Sequence, residues 1–492
     1  NKDAFGNASV IFTYWLTLKG ACKTAWAEKP PERETLLKNS GGMRILYGYS
    51  GSGRASQFHN LSFEGGEATG AAQSNDGGAI VFGSASAGGF AKNCVFRNCS
   101  AGRYGGGTSC LTAYDCLYSN CTASVWGGGA YGQATNDSSG HNTNFFENCT
   151  FVGCSAASGG AVYGSDLRWV TGCMFTNNTA KSGNGGAVYV DTGVQVVSNS
   201  TFACNKSTGS GVGGFYCSSP SGTFTDCAFN SNTNSPSAAK GAHICRGRDV
   251  RNCTFTGYGD VLAQNLENCT FNGCVFTYDD TGRGLLTHDS STDSGIVRNC
   301  LFANCTACRL CTTTNGKQCE FDNCTFADNA LLQGASSTCG YLFYAFRDTN
   351  LPSTNYISNC VFANNDGGVD TPAVRQCDVT CYGTGTSVPV PAANLFSNCA
   401  YEKGIYKDTG AKNEVNCRKG GMKFAKDDPE LAGRYPDYMP KRGSAAHRLG
   451  AWASWMAGAK DLAGTDMPAA ATVDAGCYQC TLPAKGMSLL VW

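Results

Sequence analysis

A tetrapeptide that ends in an aromatic residue recurs along most of the chain and constrains the fold more than any other feature. Its usual form is Asn-Cys-x-Phe, as at residues 148–151, with Asp, Gly, Ser or Tyr substituted in some copies. Most successive copies lie 22 to 33 residues apart. Helical repeats keep fixed periods of roughly 33–34 residues, and the Gly, Asn, Thr and Ser of each unit disfavour helix. The repeat therefore predicts turns of a three-faced β-coil with loop insertions.

The motif alternates between the two faces of a strand. Positions two apart share a face, so Cys and the aromatic residue point inward together, while the residue between them, often Thr, points outward. Stacked turns then place like side chains above one another at roughly 4.8 Å, the strand spacing. The predicted core columns contain Cys94, Phe96, Cys149, Phe151, Cys173, Phe175, Cys227, Phe229, Cys253, Phe255, Cys300, Phe302, Cys324, Phe326, Cys360 and Phe362.

A second column lies three residues after the aromatic residue and holds Cys or Asn, as at Cys99, Cys154, Asn178 and Asn205. Asn suits a tight inward bend, because it tolerates the left-handed conformation and its amide can bond the turns above and below. Cys at this place either replaces a ladder amide or forms a disulfide with a cysteine of the same or the next turn. Cysteine pairing cannot be deduced from sequence.

Two glycines followed by an apolar pair recur between copies of the motif, as at residues 77–80 and 159–162. Glycine permits a corner with positive φ, and the residue after it opens an inward-facing strand. Together the repeats predict an all-β fold, a parallel β-helix over residues 56–400. An N-terminal cap or assembly segment is expected in residues 1–55, and a C-terminal region that closes the helix in residues 401–492.

The alternation of Gly-Gly-Ala-(Ile/Val/Leu) with Phe-x-x-Asn resembles the repeat of chlamydial polymorphic outer-membrane proteins and of related bacterial surface proteins. The resemblance spans roughly residues 56–400. It implies a right-handed parallel β-helix in a bacterial protein of the cell surface.

The C-terminal stretch resembles bacterial secreted β-helix proteins of the choice-of-anchor type. The similar segments are residues 428–431, 443–446, 461–464 and 473–479. Residues 447–450, His-Arg-Leu-Gly, stand where that family has Ile-Asp-Ala-Gly. This second resemblance implies a secreted protein.

Charge and cysteine content narrow the functional classes. The 37 basic and 37 acidic residues cancel, so the chain lacks the basic field that nucleic acid or anionic membrane requires, and near-zero net charge favours self-association. The 30 cysteines indicate an oxidising compartment, with disulfides or buried thiols. The competing interpretation is metal binding at two Cys-x-x-Cys clusters. One cluster is Cys305, Cys308 and Cys311; the other is Cys477 and Cys480.

Localisation follows from two further features of the sequence. No stretch reaches the roughly 20 apolar residues of a membrane span. The chain begins at Asn1 without a basic n-region, which predicts an exported protein whose signal peptide is absent from this chain. We therefore expect an extracellular or cell-surface protein.

Candidate catalytic residues follow the Gly-Gly strands. Asp166 and Asp191 come shortly after tyrosines of adjacent turns, with Arg168 nearby. Two such carboxylates could serve as the acid and base of a polysaccharide-cleaving enzyme, or they could be solvated loop residues. A second group of acidic residues could bind Ca²⁺, the one cofactor that the sequence suggests, through its carboxylate oxygens. Alternatively, the group belongs to an ordinary polar loop. It consists of Asp279, Asp280, Asp289 and Asp293.

The fold by itself does not decide the function, because parallel β-helices host polysaccharide enzymes as well as adhesins and fibres. Charge is low and no acidic cluster repeats down a face. We therefore predict a structural or adhesive surface protein, with a polysaccharide lyase or glycoside hydrolase as the alternative and a passive carbohydrate-binding module as a third class. The expected partners are copies of the chain itself, and carbohydrate or a host or cell surface.

Both ends of the sequence are apolar, which bears on assembly. A β-helix ends in a row of unpaired N–H and C=O groups, and soluble solenoids need polar caps. We predict head-to-tail contacts in which a terminal segment of one copy docks on the next, making a filament if the rotation does not close. The alternative is that each segment plugs its own end. The predicted assembly residues are Val10, Ile11, Phe12, Tyr14, Trp15, Leu490, Val491 and Trp492.

Overall fold

The structure is a computed structural model, and its strands are short and mostly parallel. It divides into an N-terminal unit, Asn1–Arg248 with Gly257–Val261, and a C-terminal unit, Asp249–Thr256 with Leu262–Trp492. The described residues are 8–12, 16–20, 35–39, 42–48, 56–69, 75–82, 89–132, 144–209, 211–219, 222–234, 243–277, 283–288, 295–313, 317–332, 339–345, 353–366, 379–383, 393–403, 405–407, 412–468 and 472–482.

In the N-terminal unit, each complete turn contributes one strand to each of three parallel sheets and most turns add a two-residue strand. The Gly-Gly sheet consists of Ala8–Phe12, Arg44–Gly48, Ile80–Phe82, Thr108–Ser109, Ala130–Gly132, Val162–Gly164, Val188–Val190 and Phe215–Cys217. The flanking sheet, which precedes the motif in each turn, consists of Thr17–Lys19, Ser56–His59, Gly89–Lys92, Leu111–Tyr114, Phe145–Glu147, Leu167–Thr171, Val194–Ser198 and Thr223–Thr225. The Cys-Phe sheet consists of Leu36–Lys38, Ser62–Glu64, Val95–Arg97, Leu117–Ser119, Thr150–Val152, Met174–Thr176, Thr201–Ala203 and Ala228–Asn232. The two-residue strands are Glu67–Ala68, Ser100–Ala101, Thr122–Ala123, Ser155–Ala156, Thr179–Ala180 and Lys206–Ser207.

The aromatic residues of the motif form one buried column in this unit. Phe151 pairs in register with Phe175, and Phe175 with Phe202. Neighbouring rings are stacked, with centroids 4.6 to 5.0 Å apart. The column contains Phe63, Phe96, Tyr118, Phe151, Phe175, Phe202 and Phe229, all fully buried. The outward neighbour Met174 is 39% exposed, so the strand alternates as its period of two requires.

Left-handed backbone marks the corners, but one position earlier than the sequence analysis placed it. Asn148 (φ 51°) and Asn177 (φ 56°) precede the inward residues of the two columns. The inward Asn178 itself is not among the residues with positive φ. The bend therefore belongs to the exposed residue before the column, and the inward Asn supplies hydrogen bonds instead.

The glycine that follows the corner residue is required because the backbone of the next turn approaches it closely. A Cβ placed on Gly128 would lie 2.2 Å from the carbonyl oxygen of Gly160 in the next turn. No real Cβ tolerates such a contact with backbone, so only glycine fits. Its partner Gly127 has φ 65° and forms the corner.

The C-terminal unit repeats the same coil with longer strands. Three strands contain residues of both units, namely His243–Arg251, Thr254–Tyr258 and Asp260–Glu267. The strands that continue the Gly-Gly and flanking positions are Leu286–His288, Gly295–Arg298, Arg309–Thr313, Gln318–Asp322, Tyr341–Ala345, Thr354–Ser358, Val379–Gly383, Ala393–Ser397, Ile405–Lys407 and Lys412–Val415. The strands at the motif position are Thr270–Phe276, Leu301–Ala303, Thr306–Ala307, Thr325–Ala327, Ala330–Leu331, Val361–Ala363, Ala400–Tyr401 and Arg418–Lys419. A stacked column again contains Phe255, Phe271, Phe302, Phe326 and Phe362.

The described residues after the last coil strand, 420–468 and 472–482, lie against the outward side of the motif strands of the C-terminal unit. They contain two short 3₁₀ helices, Ala425–Asp427 and Ser454–Met456, and an antiparallel pair, Gly450–Ala451 with Thr472–Val473. An apolar cluster joins this C-terminal segment to Leu301, Ala327 and Val361. Where the segment covers them, the outward residues directly after the motif phenylalanine are Ala303, Ala327 and Ala363, and all three are buried.

Each unit is thus a parallel β-helix, and the predicted all-β solenoid is confirmed. Within the described residues, no helix has the length and apolar content that crossing a membrane requires.

Candidate functional site

The predicted catalytic residues lie in adjacent turns, but the described contacts do not join them. Leu167 pairs with Val194, so Asp166 is level with Gly193 and not with Asp191. Asp191 is exposed and accepts a hydrogen bond of 3.4 Å from the hydroxyl of Tyr189. The guanidinium of Arg168 lies 4.8 Å from the ring centre of Trp169. Among the described contacts, no hydrogen bond or ion pair links Arg168 to either carboxylate.

Other predicted residues fall partly or wholly outside the described part of the chain. Asp279, Asp280, Asp289 and Asp293, the predicted Ca²⁺ ligands, lie outside it, as do Tyr14, Trp15, Leu490, Val491 and Trp492. Val10, Ile11 and Phe12 belong to the strand Ala8–Phe12, whose side chains are not described. That strand pairs in parallel with the chain's own strand Arg44–Gly48.

The outward side of the Gly-Gly sheet carries a stack of rings that we call the tyrosine ladder. Its rings are nearly parallel, and the centroids of neighbouring rings lie 4.6 to 5.2 Å apart. The stacked pairs are Tyr104 with Trp126, Tyr104 with Tyr131, Trp126 with Tyr163, Tyr163 with Tyr189, and Tyr189 with Tyr216. Face-to-face stacking covers the ring faces with one another. The ladder therefore stabilises the sheet and offers edges and hydroxyl groups, not ring faces, to a ligand. Its members are Tyr104, Trp126, Tyr131, Tyr163, Tyr189 and Tyr216.

The flanking sheet carries a different row of rings, which we call the aromatic stripe. It consists of His59, Phe90, Tyr114, Phe145 and Trp169, one from each of five successive strands, and all are half-buried. The first four meet edge to face, at 5.5, 5.9 and 5.0 Å between centroids and with interplanar angles of 77 to 87°. Phe145 and Trp169 are 4.2 Å apart and tilted by 26°. A ring that meets its neighbour edge-on leaves a face free of that neighbour, so the stripe retains ring faces for contact.

Charged side chains accompany the stripe. Lys19, His59 and Lys92 occupy paired positions on three neighbouring strands. Burial, and then the charges of these two lysines, lower the pKa of His59 from its usual value. At the next strand, burial and the charge of Glu147 raise the pKa of Tyr114. One end of the stripe is therefore basic, and Arg168 adds a cation at the other end.

The stripe could have been found in the sequence from its spacing to the motif. Phe90, Phe145 and Trp169 each stand four residues before a motif cysteine, and the residue after each is inward and buried. An aromatic residue at an outward position has no role in the core. That repeated placement was the signal missed.

In the described part of the chain, the cysteines of the two columns form no disulfides. In the second column, Sγ of Cys154 donates to the carbonyl of Tyr118 as Nδ2 of Asn178 donates to that of Phe151. The backbone N–H of Cys154 donates to Oδ1 of Asn178 at 2.9 Å, and that of Asn178 donates to Oδ1 of Asn205 at 3.0 Å. Thiol and amide therefore occupy equivalent places in one hydrogen-bonded ladder. Burial raises the pKa of the Cys116 thiol well above its usual value, as expected for an inert structural cysteine.

The two Cys-x-x-Cys clusters do not converge as the competing interpretation, metal binding, would require. Sγ of Cys305 donates to the carbonyl of Ala303, and Sγ of Cys308 to that of Thr277. Cys477 is fully buried in the apolar cluster under the C-terminal segment, while Cys480 is half-buried. Among the described residues, neither sequence pair forms a shared thiolate site.

Comparison with known proteins bears on the fold. A family model described as "Right handed beta helix region" matches residues 241–418. A search of the curated proteins finds no match to the chain. With the parallel sheets of both units, the match establishes the right-handed parallel β-helix that the sequence predicted. Such helices occur both in surface proteins and in enzymes of the pectin-lyase-like fold, so the family match does not choose between them.

Proposed function

We propose that this chain is an extracellular or cell-surface protein of structural and adhesive function, and that its aromatic stripe binds an acidic carbohydrate polymer. The observation that carries the proposal is the stripe, five half-buried rings on the outward side of five successive strands. The core beneath it is already filled by inward residues such as Ala91, Phe146 and Val170. Exposed apolar surface that the core does not need marks an interaction site.

The repeat of the stripe suits a polymer. Strands stacked about 4.8 Å apart spread five rings over about 19 Å. The rings occupy two positions along the strands, since Tyr114 is level with Lys92 and not with Phe90, so successive sugar rings would each meet an aromatic side chain. Aromatic and arginine side chains dominate the energetics of binding surfaces. Lys19, Lys92 and Arg168 are the cations that would meet acidic groups of the chain.

The test is binding to matched acidic and neutral polysaccharides. Truncating an aromatic anchor at a binding surface costs at least about 1–2 kcal/mol, or roughly tenfold in affinity. We expect this loss for Phe90→Ala and Tyr114→Ala, whose rings meet their neighbours edge to face, measured by titration calorimetry. Tyr189→Ala, in the tyrosine ladder of the same unit, is the control and should bind as the unmodified chain does. Absence of binding to every polymer, or equal binding by the stripe variants, would refute the proposal.

The same polysaccharides test the enzymatic alternative. A lyase or hydrolase would shorten the polymer chains, which size-exclusion chromatography detects. Cleavage that Asp166→Asn or Asp191→Asn abolishes would replace the adhesive function with an enzymatic one. We expect polymer of unchanged length.

The resemblance to bacterial surface proteins supports a location outside the cell. Because the described cysteines form no disulfides, disulfides add no support to this location. Surface labelling of intact cells that express the native gene should therefore reach this protein. Recovery of the protein only after lysis would contradict the location.

We further propose that copies associate end to end through the first turn. In the described part of the chain, Ala8–Phe12, Thr17–Lys19 and Leu36–Lys38 each pair with one strand of the following turn. No other described strand pairs with their remaining edges, which can template a strand from another copy, and the zero net charge removes repulsion between copies.

Sedimentation velocity over a range of concentrations tests this association. A lysine on an edge strand opposes pairing, so Leu36→Lys, at a side chain that is 42% exposed, should shift the chain toward monomer. Met174→Lys, at a similarly exposed side chain of an interior strand, should not. A chain that stays monomeric at every concentration would exclude the assembly.

A further inference from the structure

Three potential metal ligands that are distant in sequence meet in the C-terminal segment. One ligand atom each from His447, Asp474 and Cys480 lies within 4.8 Å of the other two. Nδ1 of His447 is 2.9 Å from Oδ1 of Asp474. Asp474 is 5% exposed, and the other two residues are half-buried, so the cluster is sheltered but accessible.

The carboxylate of Asp474 is held in place by backbone. The N–H of Arg448 donates to its Oδ1 at 2.7 Å, and the N–H of Cys480 donates to its Oδ2 at 2.5 Å. The N–H of Asp474 donates to Oε1 of Gln479 at 2.9 Å, and the N–H of Gln479 donates to Oδ2 of Asp461 at 2.9 Å. These bonds fix the orientation of the central ligand, which is the role that outer-shell contacts have in metal sites.

We propose that His447, Asp474 and Cys480 bind one zinc ion. Imidazole nitrogen, carboxylate oxygen and thiolate sulfur together form a donor set that zinc accepts. Bond lengths of about 2.0–2.3 Å place the donors of one tetrahedral zinc roughly 3–4 Å apart, and the three ligand atoms here all lie within 4.8 Å of one another. Three protein ligands leave the fourth position for water.

The cluster also assigns different roles to the two cysteines of the Cys-x-x-Cys sequence at residues 477–480. The backbone N–H of Cys477 donates to Oγ1 of Thr325, and its side chain is fully buried among apolar groups. Cys480 faces His447 and Asp474 instead. The second cysteine of the motif is therefore a ligand and the first is a core residue, a division that spacing alone does not reveal.

Zinc at this place would tie together three stretches of the C-terminal segment. His447 precedes the strand Gly450–Ala451, Asp474 follows its partner Thr472–Val473, and Cys480 lies beyond both. Residues next to this pair hold the segment to the coil, since Oδ1 of Asn359 accepts the N–H of Ala451 at 2.8 Å. Binding should thus fasten the segment on the outward side of the motif strands.

The test uses the full chain, reduced, freed of metal and titrated with zinc by calorimetry. We expect one tightly bound equivalent, which Cys480→Ser and His447→Gln remove or weaken by at least roughly 100-fold, above the loss typical of an outer-shell residue. Cys417→Ser, at another half-buried cysteine, is the matched control and should bind as the unmodified chain does.

Cobalt gives a second measurement that does not depend on stability. Bound cobalt should show thiolate-to-metal charge-transfer absorption in the unmodified chain and in Cys417→Ser, and lose it in Cys480→Ser. The proposal fails if the reduced, folded chain binds no zinc at micromolar concentration. It fails equally if Cys480→Ser titrates and absorbs as the unmodified chain does.

Discussion

Replacing Phe175 with alanine tests whether the stacked aromatic column is the main source of stability. Phe175 is fully buried between Phe151 and Phe202, with ring centroids at 5.0 and 4.9 Å and planes within 3° of parallel. Removing a buried phenylalanine costs about 3–5 kcal/mol, and each aromatic pair adds about 0.5–1.5 kcal/mol beyond burial. With two pairs lost, we expect the upper end, about 5 kcal/mol.

Equilibrium unfolding in urea measures this loss, and a neighbouring residue provides the control. Met174 precedes Phe175 on the same strand but is 39% exposed, so Met174→Ala should change the unfolding free energy by less than about 0.5 kcal/mol. Because turns of a solenoid are coupled mainly to their neighbours, hydrogen exchange in Phe175→Ala should accelerate most in the adjacent turns. A loss below about 1 kcal/mol, or one equal to that of the control, would refute the stacked-column account.

Two further predictions concern the amide ladder and the C-terminal segment. Asn205→Ala should lower the unfolding free energy by about 1–3 kcal/mol, because its buried partners lose their hydrogen bonds. Asn205→Cys should lower it less, because a thiol can take the place of the amide. If urea unfolding shows the same loss for both variants, thiol and amide are not equivalent at this position. Although burial opposes it, hydrogen bonds from Lys426 and Tyr438 hold the pKa of Asp328 below its ordinary value of 3.8. The stability that the Asp328 carboxylate contributes is therefore complete above its unfolded pKa and is lost as the pH falls through the lower folded pKa. Acid should then loosen the C-terminal segment, which the fluorescence of Trp455 reports. Asp328→Asn should abolish this pH dependence.

The sequence predicted the inward half of the coil because stacking imposes a period on it. A strand places every second residue inside, and each turn must match its neighbours in register, so Cys149 and Phe151 recur as Cys173 and Phe175. The role of the cysteines could not be settled in the same way. Thiol and amide fit the same ladder position, as Cys154 beside Asn178 shows, and only the structure distinguishes a ladder thiol from a disulfide.

The covered side of the C-terminal unit was not predicted, although the sequence contains a trace of it. Outward residues next to the motif phenylalanine are Ala303, Ala327 and Ala363, and all are buried. At the same position the N-terminal unit has Arg97, Ser119, Val152, Thr176 and Ala203, none of which is buried. A run of small apolar residues at outward positions indicates that another segment lies on them, but it does not say which segment.

Function in such a coil has to be sought among outward residues, since the inward ones are determined by stacking between turns. Two outward rows of rings are present in the N-terminal unit, and composition alone would rank the tyrosine ladder first because it has more rings. Ring geometry reverses that order. Parallel rings at 4.6 to 5.2 Å cover one another's faces, whereas the edge-to-face contacts from His59 to Phe145 do not. Ring faces that lie beside lysine side chains are therefore the reason that the proposed binding surface is on the flanking sheet.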